Sequence, residues 1–280
     1  MGLREPLPNL GVGLGYRSQL RDRIRDHAQE IDWLEIVTDG FLDDPDGLRE
    51  LRRLNEVFPI VPHSLEMSVG SVEPLDDDYL RGVAAVADAV DAPWVSDHLC
   101  FTRENGIELG SLAPVQRTRQ NARRIAERAQ RIQELLGRRL LLENITYYLD
   151  LPGELTEAEM IAEVMRHCDC GILLDLNNLA INARNHGFDP VEFLAALPLD
   201  RVEQVHLAGS VPVGDPDLQQ IDTHDAQVSA EVLELLAHLL DRQPVKGILL
   251  ERDDGFPDDF EEIVRDLRQA REIMLSGSPR

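Results

Sequence analysis

Lysine is almost missing from this 280-residue chain: of its 28 Lys and Arg residues, only Lys246 is Lys. Genomic base composition is the simplest source of that bias. Against those 28 stand 52 Asp and Glu, for a formal net charge of −24 at pH 7. A chain this acidic repels phosphate backbones unless a basic groove is concentrated locally, so nucleic acid is not an expected partner. Cysteine is scarce too. Cys100, Cys168 and Cys170 cannot build a disulfide framework and form no Cys-x-x-Cys pair, which makes a reducing cytoplasm the expected location. No apolar run approaches the ~18–20 residues of a membrane span. The opening MGLREPLPNL has no apolar signal core, so neither membrane insertion nor secretion is expected. Gly/Ser-rich linkers and mid-chain composition breaks are also missing, so residues 1–280 read as one domain.

What is present is apolar material for a large core, 43% hydrophobic against 29% charged residues. It is arranged in alternation. Strand candidates are Gly11–Arg17, Asp32–Val37, Ile60–Ser68, Trp94–Phe101, Leu140–Tyr147, Gly171–Asn178, Val202–Ser210 and Gly247–Asp253. Several start as near-continuous aliphatic runs, as parallel strands covered on both faces do. Helical stretches fill the gaps: Ser18–Ile31, Pro45–Phe58, Asp76–Val90, Pro114–Leu136, Thr156–His167, Pro190–Leu197, Asp225–Leu240 and Asp258–Leu275. Thr156 followed by Glu159 has the spacing of a capping box. Eight βα units predict a single α/β (β/α)8 TIM barrel with its core over about residues 11–275. GVGLG at Gly11–Gly15 lies inside the first strand, and no G-x-G-x-x-G follows, so these glycines read as close packing rather than a dinucleotide site.

His63, His98 and His206 fall in the last halves of strand candidates, and Glu143, Asp175 and Glu251 do the same on others. Asp222 and His224 form a D-T-H triplet in a loop on the same side. Strand C-terminal ends of such a barrel point into the active-site mouth. Carboxylates converging without Lys or Arg repel one another unless cations sit between them. The donors are nitrogen and oxygen without thiolate, which suits Zn, Mn or Fe, and they are too many for one ion.

In this order, with Asn178 three residues after Asp175, the donors resemble the trinuclear barrel of endonuclease IV and its xylose-isomerase-like relatives, which have His where Asn178 stands. The strings PHSLEMSVG, SDHLCF, LENITYY, LLDLNNLAINARNHGFD, VHLAG and DTHD more closely resemble the multinuclear non-haem iron-dependent oxidative enzymes, a family long catalogued as a bacterial domain of unknown function. That resemblance spans roughly residues 11–253. It implies one iron on His63, His98 and Glu143, and a second bridged by Glu143 and held by Asp175, His206 and Glu251. Asn178, Asp222 and His224 would hold a third, more weakly through a neutral amide. It further implies two or three ions in mixed Fe(II)/Fe(III) states, with O2 as co-substrate. The implied substrate is a ribosomally made precursor peptide, modified often at cysteine and delivered by a separate peptide-recognition partner protein.

Two further residues are candidates for catalytic roles. Asp97 neighbours His98 and points to the opposite strand face, where it orients a ligand or makes a barrel–helix contact. His186 follows the Asp175 strand on the catalytic side, where substrate contact and loop capping are both open readings. Cys100 reads as a small buried residue, and the Arg-rich stretch Arg117–Arg139 as a salt-bridged face or a docking surface for an acidic partner. Two other functions fit a metal-binding barrel: phosphodiester hydrolysis of the endonuclease IV type, and metal binding without catalysis. The net charge weighs against the first.

Overall fold

The computed structural model describes residues 6–211, 213–215 and 218–277. In chain order its strands are β1 (Gly11–Gly15), β2 (Leu34–Val37), β3 (Ile60–His63), β4 (Trp94–His98), β5 (Phe101–Glu104), β6 (Ile107–Ala113), β7 (Arg139–Glu143), β8 (Gly171–Asp175), β9 (Val202–Leu207) and β10 (Gly247–Leu250). All except β5 and β6 pair in parallel, in chain order, and β10 pairs back onto β1 to close the barrel. The α-helices are α1 (Arg21–Asp26), α2 (Pro45–Asn55), α3 (Asp77–Ala89), α4 (Arg119–Leu136), α5 (Glu157–His167), α6 (Leu176–His186), α7 (Pro190–Ala196), α8 (Ala230–Leu240) and α9 (Glu261–Ser276). The expected (β/α)8 architecture is the one observed.

Side-chain alternation along the strands builds the barrel interior. A floor cluster of Trp33, Val61, Trp94, Leu141, Leu173 and Leu249 fills the lower part of the barrel. Its two indoles meet edge to face at 6.3 Å, a geometry that contributes about 1 kcal/mol beyond burial. Two residues beyond the floor positions stand Glu35, His63, Ser96, Glu143, Asp175 and Glu251. With a period of two, the same strand face that buries apolar groups below carries polar groups above. Gly13 belongs to this packing: a Cβ there would lie 2.6 Å from the Trp33 indole, so glycine admits the ring.

Around the barrel, the long helices such as α4 bury one stripe, whereas α6 is buried on all sides from Leu176 to Ala183. On α4 the buried positions are Ala122, Ile125, Ala126, Ala129, Ile132, Gln133 and Leu136, at helical spacing. Thr118 caps its start and Gly137, at φ 62°, ends it in the left-handed region. Thr156 and Glu159 form the capping box their spacing predicts.

Three local expectations are corrected. The first helical stretch is broken: His27 closes α1 with both its N–H and its ring Nδ1 on the Arg23 carbonyl. The strand expected to run through Asn178 stops at Asp175, because that carboxylate accepts the Asn178 N–H and starts α6. Between β4 and α4 stands an unanticipated antiparallel hairpin, β5–β6, turning on Asn105 and Gly106, both at positive φ. The Arg-rich stretch is mostly an internal clasp. Arg124 donates to the Gly70 carbonyl, Arg128 to the Ser68 and Glu73 carbonyls, and Arg138 to the Ala92 carbonyl and Asp88.

Candidate metal centre

Strand ends bring His63, His98, Glu143, Asp175, His206 and Glu251 to one mouth, and the loop after β9 adds Asp222 and His224. Glu143 stands at the middle. Its Oε2 lies 3.5 Å from both His63 Nε2 and His98 Nε2, and its Oε1 lies 3.5 Å from His206 Nδ1. His206 Nδ1 also faces Glu251 Oε2 at 3.3 Å and Asp175 Oδ2 at 4.0 Å. Glu251 Oε2 is in turn 3.2 Å from His224 Nδ1, whose Nε2 is 2.8 Å from Asp222 Oδ1.

These donors fall into three groups, each with its ligand atoms mutually within 4.8 Å: His63, His98 and Glu143; Glu143, Asp175 and His206; Asp175, His224 and Glu251. Glu143 and Asp175 each belong to two groups. Glu143 Oε2, Asp175 Oδ2 and His206 Nδ1 are buried without a hydrogen-bond partner. Orphaned buried polar atoms are costly, and here they converge. Imidazole and carboxylate donors arranged this way fit divalent or trivalent cations.

Burial and the neighbouring charges set the proton affinity of the donors. Burial pushes the Glu143 carboxyl up, but the neighbouring His206 and His98 overcome it and hold it at about 2. Burial opposes charge on His98, yet Glu143 and Asp97 raise it to about 9. Asp175, raised by burial and by Glu143, reaches about 8. Carboxylate and imidazole bind metals in their deprotonated forms, so cation binding here is coupled to proton release.

Outside the donors, partners fix their orientation. His63 Nδ1 bonds Ser96 Oγ at 2.9 Å, which leaves Nε2 toward Glu143. His206 Nε2 faces Glu35 Oε1 at 3.0 Å. Glu35 went unnoticed in the sequence, although Trp33-x-Glu35 repeats the spacing of Leu173-x-Asp175. Arg17, also unanticipated, pairs with Glu251 at 3.3 Å and with Asp253, and among the described residues is the single Lys or Arg lining the mouth. The mouth is a cavity of about 600 Å3 that Gly110, Ser111 and Leu112 of the hairpin help to line.

The remaining sequence candidates stand differently. Asn178 lines the mouth, but its side-chain oxygen accepts from the Thr146 hydroxyl at 2.6 Å and its Nδ2 donates to the Asn144 carbonyl at 3.0 Å. Asp97 is fully buried, accepts the Met67 N–H at 2.9 Å and lies 3.8 Å from His98 Nδ1, so it ties the β3–α3 loop beside a donor. His186 ends α6, stacks on Tyr147 at 4.3 Å and holds the Tyr147 carbonyl at 2.8 Å, apart from the mouth lining. Cys100 is buried and its thiol is pushed well up by burial. Cys168 and Cys170 are likewise buried, beside the start of β8 at the opposite end of the barrel.

Solved structures share this architecture at low identity. A D-tagatose 3-epimerase-like protein superposes with a TM-score of 0.60 at 16% identity, covering 95% of this chain and 96% of its own. A xylose isomerase domain protein from Planctomyces limnophilus gives 0.58 at 14% identity, covering 97% and 98%. The fold is thus that of the xylose isomerase-like TIM barrels. In sequence, a UPF0276 protein of Anaeromyxobacter sp. is 38% identical, covering 94% of this chain and 93% of its own. A UPF0276 protein of Acaryochloris marina is 37% identical, covering 96% of each. The sequence model of a peptide-modifying enzyme family matches residues 11–275. The chain belongs to that family, the RiPP precursor modification enzymes MbnB/TglH/ChrH.

Proposed function

We propose that this protein is a non-haem iron oxidase or oxygenase that uses O2 to modify a residue, cysteine foremost, in a ribosomally made precursor peptide. The observation that carries the reading is the sharing of Glu143 and Asp175 among three adjoining donor groups, an arrangement suited to a cluster rather than a single ion. In this reading His63, His98 and Glu143 hold one iron, and Glu143, Asp175 and His206 a second. Asp175, His224 and Glu251 hold a third, with Asp222 beside His224. These sets differ from the ones expected from sequence: Glu251 moves from the second ion to the third, and Asn178, whose amide bonds Thr146 and Asn144, is left out of the third. Two or three ions in mixed Fe(II)/Fe(III) states would supply one-electron chemistry with O2 and an electrophilic anchor for a thiolate.

The chain's own residues shape access and charge. Arg17 holds Glu251, and the hairpin arm with Tyr148 walls a mouth wide enough for a peptide side chain. Among the described residues the lining acids Glu66, Asp222 and Asp253 face one guanidinium, a balance that repels phosphodiesters and disfavours the hydrolytic alternative. Among the described residues no helix is long and apolar enough to cross a membrane. A cytoplasmic enzyme of one barrel domain, served by a separate peptide-recognition protein, completes the proposal.

The test is anaerobic loading with Fe(II), then O2 and a short Cys-containing peptide encoded beside the gene, supplied with any protein encoded next to it. O2 uptake with a matching change in peptide mass supports the reading. Peptide turnover with zinc alone, independent of O2, contradicts it.

A further inference from the structure

We propose that Glu35 is a positioning residue of the metal centre, holding His206 so that the imidazole offers Nδ1, not Nε2, to a cation. This rests on the metal reading above. His206 is fully buried, with its two nitrogens facing opposite ways. Nε2 lies 3.0 and 3.2 Å from the two Glu35 carboxylate oxygens. Nδ1 faces Glu143, Asp175 and Glu251 and has no hydrogen-bond partner. A cation among Glu143, Asp175 and Glu251 takes the Nδ1 lone pair, which leaves the ring proton on Nε2, where the Glu35 carboxylate can only accept it.

The support continues below. The Trp94 indole N–H, which can only donate, bonds Gln204 Oε1 at 2.6 Å, and this fixes which end of the amide is which. Gln204 Nε2 then donates to Glu35 Oε2 at 2.6 Å. The same amide nitrogen lies 2.9 Å from His206 Nε2, but the charged acceptor takes the imidazole proton. A chain from the barrel floor, Trp94 to Gln204 to Glu35 to His206, thus sets the orientation of one donor. His63 is held the other way, by Ser96 on Nδ1, so the two imidazoles present different nitrogens. A carboxylate behind a ligating imidazole also raises its donor strength.

The experiment compares wild type with Glu35→Gln and Glu35→Leu, using Zn2+ as a diamagnetic probe and Fe2+ as the second. Metal-to-protein ratio, affinity by chelator competition, and 15N spectra of histidine-labelled Zn2+ protein are read. In wild type the His206 signal should show Nε2–H with Nδ1 bound. Glu35→Gln, which keeps an acceptor but loses the charge, should weaken one cation about 10–100-fold and leave the His63–His98 cation unchanged. Glu35→Leu should weaken it further. Unchanged Zn2+ affinity in both variants, or Zn2+ on Nε2 in wild type, overturns the inference alone. If Glu35→Leu does not fold, the near-isosteric Gln variant decides. Wild type that takes up neither ion overturns the metal reading, and this inference with it.

Discussion

Asp175 Oδ1 accepts the Asn178 backbone N–H at 2.6 Å, so one carboxylate both ends β8 and starts α6. Its other oxygen stays free of hydrogen bonds and faces His206. The helical turn carries the Asn178 amide onto Thr146 and Asn144. Asn178→Ala should therefore leave the bound metal count unchanged while lowering stability by about 1–3 kcal/mol for the lost buried hydrogen bonds. Metal analysis beside urea unfolding checks this. Loss of one equivalent of metal without destabilisation would make Asn178 a ligand after all.

Glu143 reaches His63 and His98 with one oxygen and His206 with the other. Glu143→Ala should lose more than one equivalent of iron, measured after desalting. Loss of a single equivalent with activity retained would show that it serves one ion only.

Gly13 faces the Trp33 ring at a distance no Cβ tolerates. Gly13→Ala should destabilise the protein by about 1–3 kcal/mol through overpacking of the floor. A thermal midpoint equal to wild type would mean that the indole has room to move.

Asp266 on α9 is buried at 4% exposure and accepts the Val228 N–H at 3.2 Å. Burial raises its pKa to about 6, against the lowering effect of that N–H and Arg252. The folded state then binds this proton more tightly than the unfolded chain, so the contribution to stability falls as pH rises from about 4 to about 6. Asp266→Asn should exceed wild-type stability by on the order of 2 kcal/mol at pH 7.5, with the gap closing toward pH 4. Urea midpoints at several pH values measure it. A gap that widens on acidification contradicts the sign.

Much of the centre was legible because strand parity is legible. Val61-x-His63, Leu141-x-Glu143 and Leu173-x-Asp175 announce an apolar floor with donors above it. Trp33-x-Glu35 carries the same signal, but one acid in an otherwise ordinary strand drew no notice. Asn105-Gly106 is a strong hairpin signal, yet its flank IELGSLA is exposed and lacks a clear buried face to announce a strand. Asp175 as a helix cap could not be told from strand continuation within LLDLNNL, since only the hydrogen bond distinguishes them. The stacking of His186 on Tyr147 joins residues 39 apart and leaves no local trace.

The proposed multinuclear iron centre is built on Glu143 and Asp175, each shared by two donor groups. Iron-to-protein ratio and Mössbauer spectra of protein reconstituted anaerobically with 57Fe(II), then partly oxidised, test it most directly. Two or three irons per chain, with coupled ferrous and ferric components that collapse in Glu143→Ala, are expected. One isolated iron per chain, or a centre that rejects iron and retains zinc, would contradict the proposal.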